Sequence, residues 1–402
     1  MKLLVKDSGI WQWALFSFLL AGLAGFLYRM GFIVALPYEI SLENVRHAHS
    51  HLMFFCWAGL LPMYLIKLDT IPGYHAAFGA RLMKGSLYFS LLFGLLSFPS
   101  FFLWGYAPVA IGAANIPVSA IISGLVMIGW YGFMAGYLIT RKYKRDFVPN
   151  TWFEGAMLML FISSLGAWGV GFTEFISIGG PMFGKALTHF FLAVFVEGWV
   201  LLVLMGLIAK SLDLKDEDFA LSPGILVGLI AIGAPLTFPY GIPESFVSIN
   251  MSVAARMGGV LIAEGILLYV YSVYRTRKLS LGIWVWPLIL LALKAAMQLA
   301  ASLSPADLWL SDHGIRVFYL HVTLLGALTL GLAAFLSREE NISPVYFYGV
   351  VLSILMLLFS LIFLTSLWPE PISGVWIYTA LAVTAIFPIF AMTLFWIKLR
   401  KS

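Results

Sequence analysis

Apolar runs of about 20 residues follow one another along almost the whole of this sequence. Each is long enough to cross roughly 30 Å of hydrocarbon as a helix. A lipid interior supplies no water to backbone N–H and C=O groups, so such a run is stable there only as a helix or in a closed barrel. Barrel strands alternate apolar and polar residues over about ten positions, and the sequence has no such alternation. Composition agrees, because 61% of the 402 residues are hydrophobic and only 11% are charged. A water-facing chain needs roughly a quarter of its residues charged. The expected fold is an all-α membrane protein, one polytopic domain over residues 1–402, with membrane lipid as its solvent.

Twelve spans are expected, near 11–35, 48–66, 84–105, 117–140, 151–175, 185–208, 223–240, 252–274, 283–303, 315–337, 345–367 and 375–397. The connections are short, so neighbouring helices are expected antiparallel, and no linker marks a second soluble domain. The start, Met1 to Lys6 followed by an apolar run without a small-residue cleavage site, reads as a retained anchor. Glycines Gly124, Gly129, Gly132 and Gly136 in the fourth span suit close helix packing.

Charge sets the orientation. The N-terminus and every second loop together hold 18 of the 24 Lys and Arg. By the positive-inside rule both termini are cytoplasmic, in a cell membrane of bacterial inner-membrane type. The net charge of +5 is therefore a topology signal rather than a nucleic-acid patch, and no nucleic-acid partner is expected. Cys56, the single cysteine, excludes an intramolecular disulfide and a cysteine-rich metal site.

The seven histidines are His47, His49, His51, His75, His189, His313 and His321. With this orientation, His47, His49 and His51 fall at the outer end of the second span, His189 in the sixth and His321 in the tenth. Five histidines from three helices thus share one outer slab. Neutral imidazole is cheaper to bury than a charge, and its free nitrogen suits iron, copper and zinc. On a helix His47 and His51 share a face while His49 points roughly the other way, provided the helix begins before Ala48. A lone membrane histidine often serves only as a helix–helix hydrogen-bond donor, which stays open for His189. His313 reads as a loop residue beside Asp312, and His75 as a cytoplasmic loop residue without a role.

Other ionisable and polar groups lie in or beside apolar spans, among them Glu174, Glu197, Arg256, Glu264, Lys294, Gln298 and Arg316. Glu197, Glu264 and Lys294 are mid-span, where a buried ion pair and a proton path are both open readings. Arg46, Arg256 and Arg316 sit at outer ends, placed either to neutralise haem propionates or to snorkel to headgroups.

Two segments carry a resemblance. The run His49-Ser50-His51-Leu52-Met53-Phe54-Phe55 resembles the His-x-His-x-Met-x-Phe element of the NnrS family of haem- and copper-containing membrane proteins. The run from His321 to Ala327, with Ser337-Arg338 beyond it, is similar to that family's later His-x4-Gly-Ala element. Histidines on the second, sixth and tenth spans also look, more distantly, like those of haem–copper oxidase subunit I. The seventh span, with Pro235 to Tyr240, has no His-His pair, and Tyr319 stands where an oxidase places a second histidine. A complete oxygen-reducing centre is therefore not expected.

The resemblance implies haem as cofactor, with copper as a second candidate, and a role in nitric-oxide handling or response. His49 or His51 would face His321 across the iron, with His47 and His189 as further ligands and Arg46 and Arg316 on the propionates. Nitric oxide or another diatomic gas and an electron-donor protein are the implied partners. The alternatives are a diverged haem–copper-type oxidoreductase and a histidine-based metal or proton transporter.

Overall fold

The computed structural model describes residues 9–37, 40–68, 77–141, 148–176, 180–277, 281–304 and 312–401. His75 lies outside these residues, as do Lys2, Lys6, Lys142, Lys144, Arg145 and Lys278, six of the cations expected on the cytoplasmic side. The twelve expected spans correspond to helices α1 (Ile10–Met30), α2 (Leu42–Leu68), α3 (Ala77–Trp104), α4 (Val118–Arg141), α5 (Val148–Ile176), α6 (Met182–Ser211), α7 (Pro223–Leu236), α8 (Ile249–Arg277), α9 (Val285–Leu303), α10 (His313–Glu339), α11 (Pro344–Leu361) and α12 (Trp376–Lys401). Eleven of them are long and apolar enough to span a membrane. The protein is an all-α, multi-pass membrane bundle.

Three differences from the expected spans have physical causes. Helix α2 begins six residues before the expected 48, because the side chain of Ser41 caps it by accepting from the backbone of Asn44. Its first turns, Leu42 to Arg46, are polar, so hydropathy marks only the part that follows. The seventh segment stops as an α-helix at Leu236 and tightens into a 3₁₀ turn at Phe238–Gly241. Pro235 and Pro239 remove two backbone donors there. Between α3 and α4 lies a short hairpin, Val109–Ile111 paired antiparallel with Ala114–Ile116. Gly112, with φ +63°, supplies the left-handed residue of its two-residue turn.

Contacts divide the chain into two compact units. The first comprises Met1–Arg145, Glu339–Ser360 and Pro371–Ser402, and the second Asp146–Arg338 with Leu361–Glu370. In the first, α3 and α4 pack through small residues. A Cβ on Gly129 or Gly132 would meet the hydroxyl of Ser90 or Ser86, and one on Gly136 would lie 2.7 Å from the carbonyl of Gly79. Helix α1 packs on α12 and on α2. In the second, α5, α7 and α10 pack on α6, α9 packs on α10 and reaches α6 through Lys294, and α8 packs on α7 and α9.

Three helices stand apart from the rest. In α6 and α10, 83% of the most apolar window is buried, and in α2 72%, against 28–44% in the other spans. The same three switch to π-helix, over Met53–Leu60, Val194–Val200 and Val322–Leu328. These are the helices that carry His47, His49, His51, His189 and His321. In α10 the wider turn is backed by Thr329, whose hydroxyl donates to the carbonyl of Leu324, five residues earlier. π turns inside α-helices occur frequently at functional sites.

Candidate functional site

Because α2 starts at Leu42, the histidine triplet lies on regular helix rather than at a frayed end. His47 and His51 turn toward the end of α3. The ring of His51 stacks on Phe101, with centroids 3.7 Å apart, and its Nδ1 donates to the carbonyl of His47 at 2.9 Å. A carbonyl only accepts, so Nε2 carries the lone pair, and it accepts from the hydroxyl of Tyr106 at 3.1 Å. His47 sits edge-on to the Tyr106 ring, with its Nε2 3.6 Å from a carboxylate oxygen of Glu43. Arg46 is exposed and pairs with Glu43 at 3.2 Å.

His49 faces the other way, toward α1. Its Nδ1 donates to the carbonyl of Ala21 at 2.7 Å. The ring is admitted by Gly25, where a Cβ would lie 3.3 Å from Nδ1 and Cε1. This bond fixes the tautomer with the lone pair on Nε2, which has no hydrogen-bond partner among the described residues.

In the second unit, His321 repeats the arrangement, with Nδ1 donating at 2.7 Å to the carbonyl of Val317 one turn back. His189 lies against the 3₁₀ turn that follows α7. A Cβ on Gly241 would come within 1.9 Å of its Nδ1, so only glycine fits there. Arg316 donates to the carbonyl of Gly241 at 3.2 Å, and its Nε is a buried N–H without a partner. His313 is the first residue of α10 rather than part of a loop, because Asp312 caps the helix by accepting from Ile315 at 3.0 Å.

The second unit also holds a buried polar cluster. Lys294 on α9 donates to Oε2 of Glu197, which stands inside the π segment of α6. The hydroxyl of Tyr319 on α10 lies between Oε1 of Glu197 and Oε1 of Gln298. Lys294 is fully buried, Gln298 4% exposed and Glu197 5% exposed. The partner of Lys294 is thus Glu197 and not Glu264, which is exposed on α8. The side chain of Glu174 lies outside the described residues. Sequence reading took Tyr319 only as the replacement of an oxidase histidine and missed its place in this cluster, and it missed Ser302 altogether. The available signal was Lys294, Gln298 and Ser302 at four-residue steps on an otherwise apolar helix.

Within either unit, no three of the described histidines, cysteines and acids converge on a point that would hold a metal ion. His47, His49 and His51 belong to the first unit, and His189 and His321 to the second. No family model and no curated protein matches the chain.

Proposed function

We propose that the protein is a haem-binding membrane protein of a bacterial inner membrane that acts in nitric-oxide handling or response, as its resemblance to the NnrS family implies. The observation that carries this reading is the setting of His49 and His321. Each gives its Nδ1 proton to a backbone carbonyl and so keeps Nε2 as a lone-pair nitrogen. Haem and metal ligands are held in this way, because the carbonyl fixes the tautomer and raises the basicity of the ligating nitrogen.

The chain's other groups fit the same cofactor. Arg316 has a buried N–H to give, suited to a propionate carboxylate. Glycines at 25 and 241 leave room for the rings of His49 and His189. Arg46 is turned to Glu43 on the surface and would have to exchange that partner. A copper or zinc centre of three or more protein ligands does not fit the described donors. A two-histidine site at His47 and His51 would require Tyr106 to release Nε2 of His51. Bound haem supplies an iron centre that takes up electrons and a diatomic gas. The protein's part is to present the imidazole, neutralise the propionates and exclude water.

The test is an absorption spectrum of the purified protein, oxidised and reduced, after expression with adequate haem. A Soret band is expected, and alanine at His321 or His49 removes or shifts it. A protein without a Soret band sinks the haem reading. A band unchanged in His321→Ala removes that residue as a ligand.

A further inference from the structure

Helix α8 has one packed face and one bare face. Ala255, Gly258, Gly259, Ile262, Gly265 and Ile266 are buried, where the helix packs on α7 and α9. The opposite face runs through Val253, Met257, Leu267, Tyr271 and Tyr274, all exposed. Glu264 stands in the middle of this stripe and is exposed as well. The steps between these six residues are three, four or seven, which keeps their side chains on one side of a helix.

Depth makes the glutamate unusual. Arg275, in the basic last turn of α8, lies 11 residues further on, about 16 Å along the axis. That is about half of a hydrocarbon layer, too far for a side chain as short as glutamate to reach either surface. Among the described residues Glu264 has no hydrogen bond and no ion pair. The next polar group along the stripe, Tyr271, lies two turns away and carries the guanidinium of Arg275 over its ring at 5.8 Å. Ionisable residues within a membrane almost always face the bundle interior or a water-filled cavity and find a partner there. Glu264 instead projects from an apolar stripe, flanked by Met257 and Leu267.

We propose that this face of α8 seats a membrane-spanning helix of another protein, one that carries a lysine or arginine at mid-depth to meet Glu264. A basic residue alone at that depth is as costly as the carboxylate, so pairing relieves both. Attraction between the two is strong because lipid screens it little. A second copy of this chain fits less well. Two-fold pairing about the membrane normal sets the same residue of each copy side by side, so Glu264 would meet Glu264, and the stripe from Val253 to Tyr274 contains no cation of its own. Met257 adds a flexible side chain that adapts to the surface packed on it. None of these residues is among the groups assigned to haem, and the interface stands independently of that reading.

Photo-cross-linking of the full-length protein in lipid vesicles tests this. Benzoylphenylalanine replaces Met257 on the stripe or, as a control, Leu352, which is exposed on α11. The probes are two leucine-rich peptides of about 20 residues, one with a single central lysine and one with leucine in its place. From position 257 the lysine peptide should be captured about tenfold more than the leucine peptide. The preference should vanish in Glu264→Leu, persist in Glu264→Asp and be absent from position 352. In cell membranes the adduct formed at position 257 should be a helix with a basic residue at mid-span, and its yield should fall by a similar factor in Glu264→Leu. Equal capture of both peptides, or a preference that survives Glu264→Leu, overturns the charge pairing. Adducts with lipid alone, or with a second copy of the chain, overturn the assigned occupant. A melting temperature that falls in Glu264→Leu as it would for a core substitution overturns the outward placement. A missing Soret band bears on the haem reading alone.

Discussion

Replacing Lys294 with methionine removes the ammonium from the buried carboxylate of Glu197 while keeping most of the apolar stem. Lys294 is fully enclosed and donates directly to Glu197, so no water replaces it. Deleting one partner of such a pair costs about 3–5 kcal/mol, because the remaining charge is left uncompensated. For a unit of roughly 200 residues, each kcal/mol lowers Tm by about 2–4 °C, so a fall of about 6–20 °C is expected. Removing the other charge should undo most of the damage. Glu197→Gln combined with Lys294→Met exchanges an ion pair for a neutral amide that still accepts from Tyr319, and replacing both partners of a buried pair is often close to neutral. Thermal unfolding in one detergent, followed by intrinsic fluorescence and by size-exclusion recovery, measures wild type, both single variants and the double variant. If the double variant is as unstable as Lys294→Met, the loss comes from packing, and the reasoning from buried charge is refuted.

Two further outcomes follow from local geometry. Gly136→Ala places a Cβ 2.7 Å from the carbonyl of Gly79 and 2.9 Å from the backbone nitrogen of Met83, neither of which can swing away. It should cost about 1–3 kcal/mol, whereas Gly85→Ala on α3 meets nothing within 4 Å and should gain up to about 1 kcal/mol from helix propensity. Melting temperatures moving in opposite directions are the check. At the start of α10, partial burial pushes the carboxyl of Asp312 upward, but hydrogen bonds from Ser366, Ile315 and Gly314 hold it below the usual aspartate range. Its contribution is therefore present above the unfolded value of about 3.9 and is lost as pH falls through the folded one. Asp312→Asn should lower stability at neutral pH, by an amount that closes toward zero in strong acid; a gap that stays constant with pH would contradict this.

The bundle was legible because lipid leaves the backbone a single solution, and a run of apolar residues is a local signal. The opposed faces of His47 and His49 were legible too, once α2 was taken to begin early enough, since a helix turns about 100° per residue. The pairing of Glu197 with Lys294 and Tyr319 was not, because those partners are 97 and 122 residues away and Glu264 offered an equally good match in depth. The π segments left no signature that hydropathy detects. Periodicity read over a window averages so short a change of winding away. The end of α7 was misjudged for a different reason. Pro239 and Tyr240 are apolar enough to extend the run, while the backbone had already left the α-helix.

That early ending has a consequence for the surrounding lipid. A 14-residue helix rises about 21 Å, some 9 Å less than the hydrocarbon thickness it must match. The bilayer meets such a deficit by thinning beside the short segment, at a modest cost for each ångström. Such thinning would bring headgroups and their hydration water toward Tyr240 and Arg256, which stand together past the end of α7. The protein's sensitivity to acyl-chain length should accordingly be concentrated on this side, where thicker membranes would press hydrocarbon over Tyr240 and Arg256.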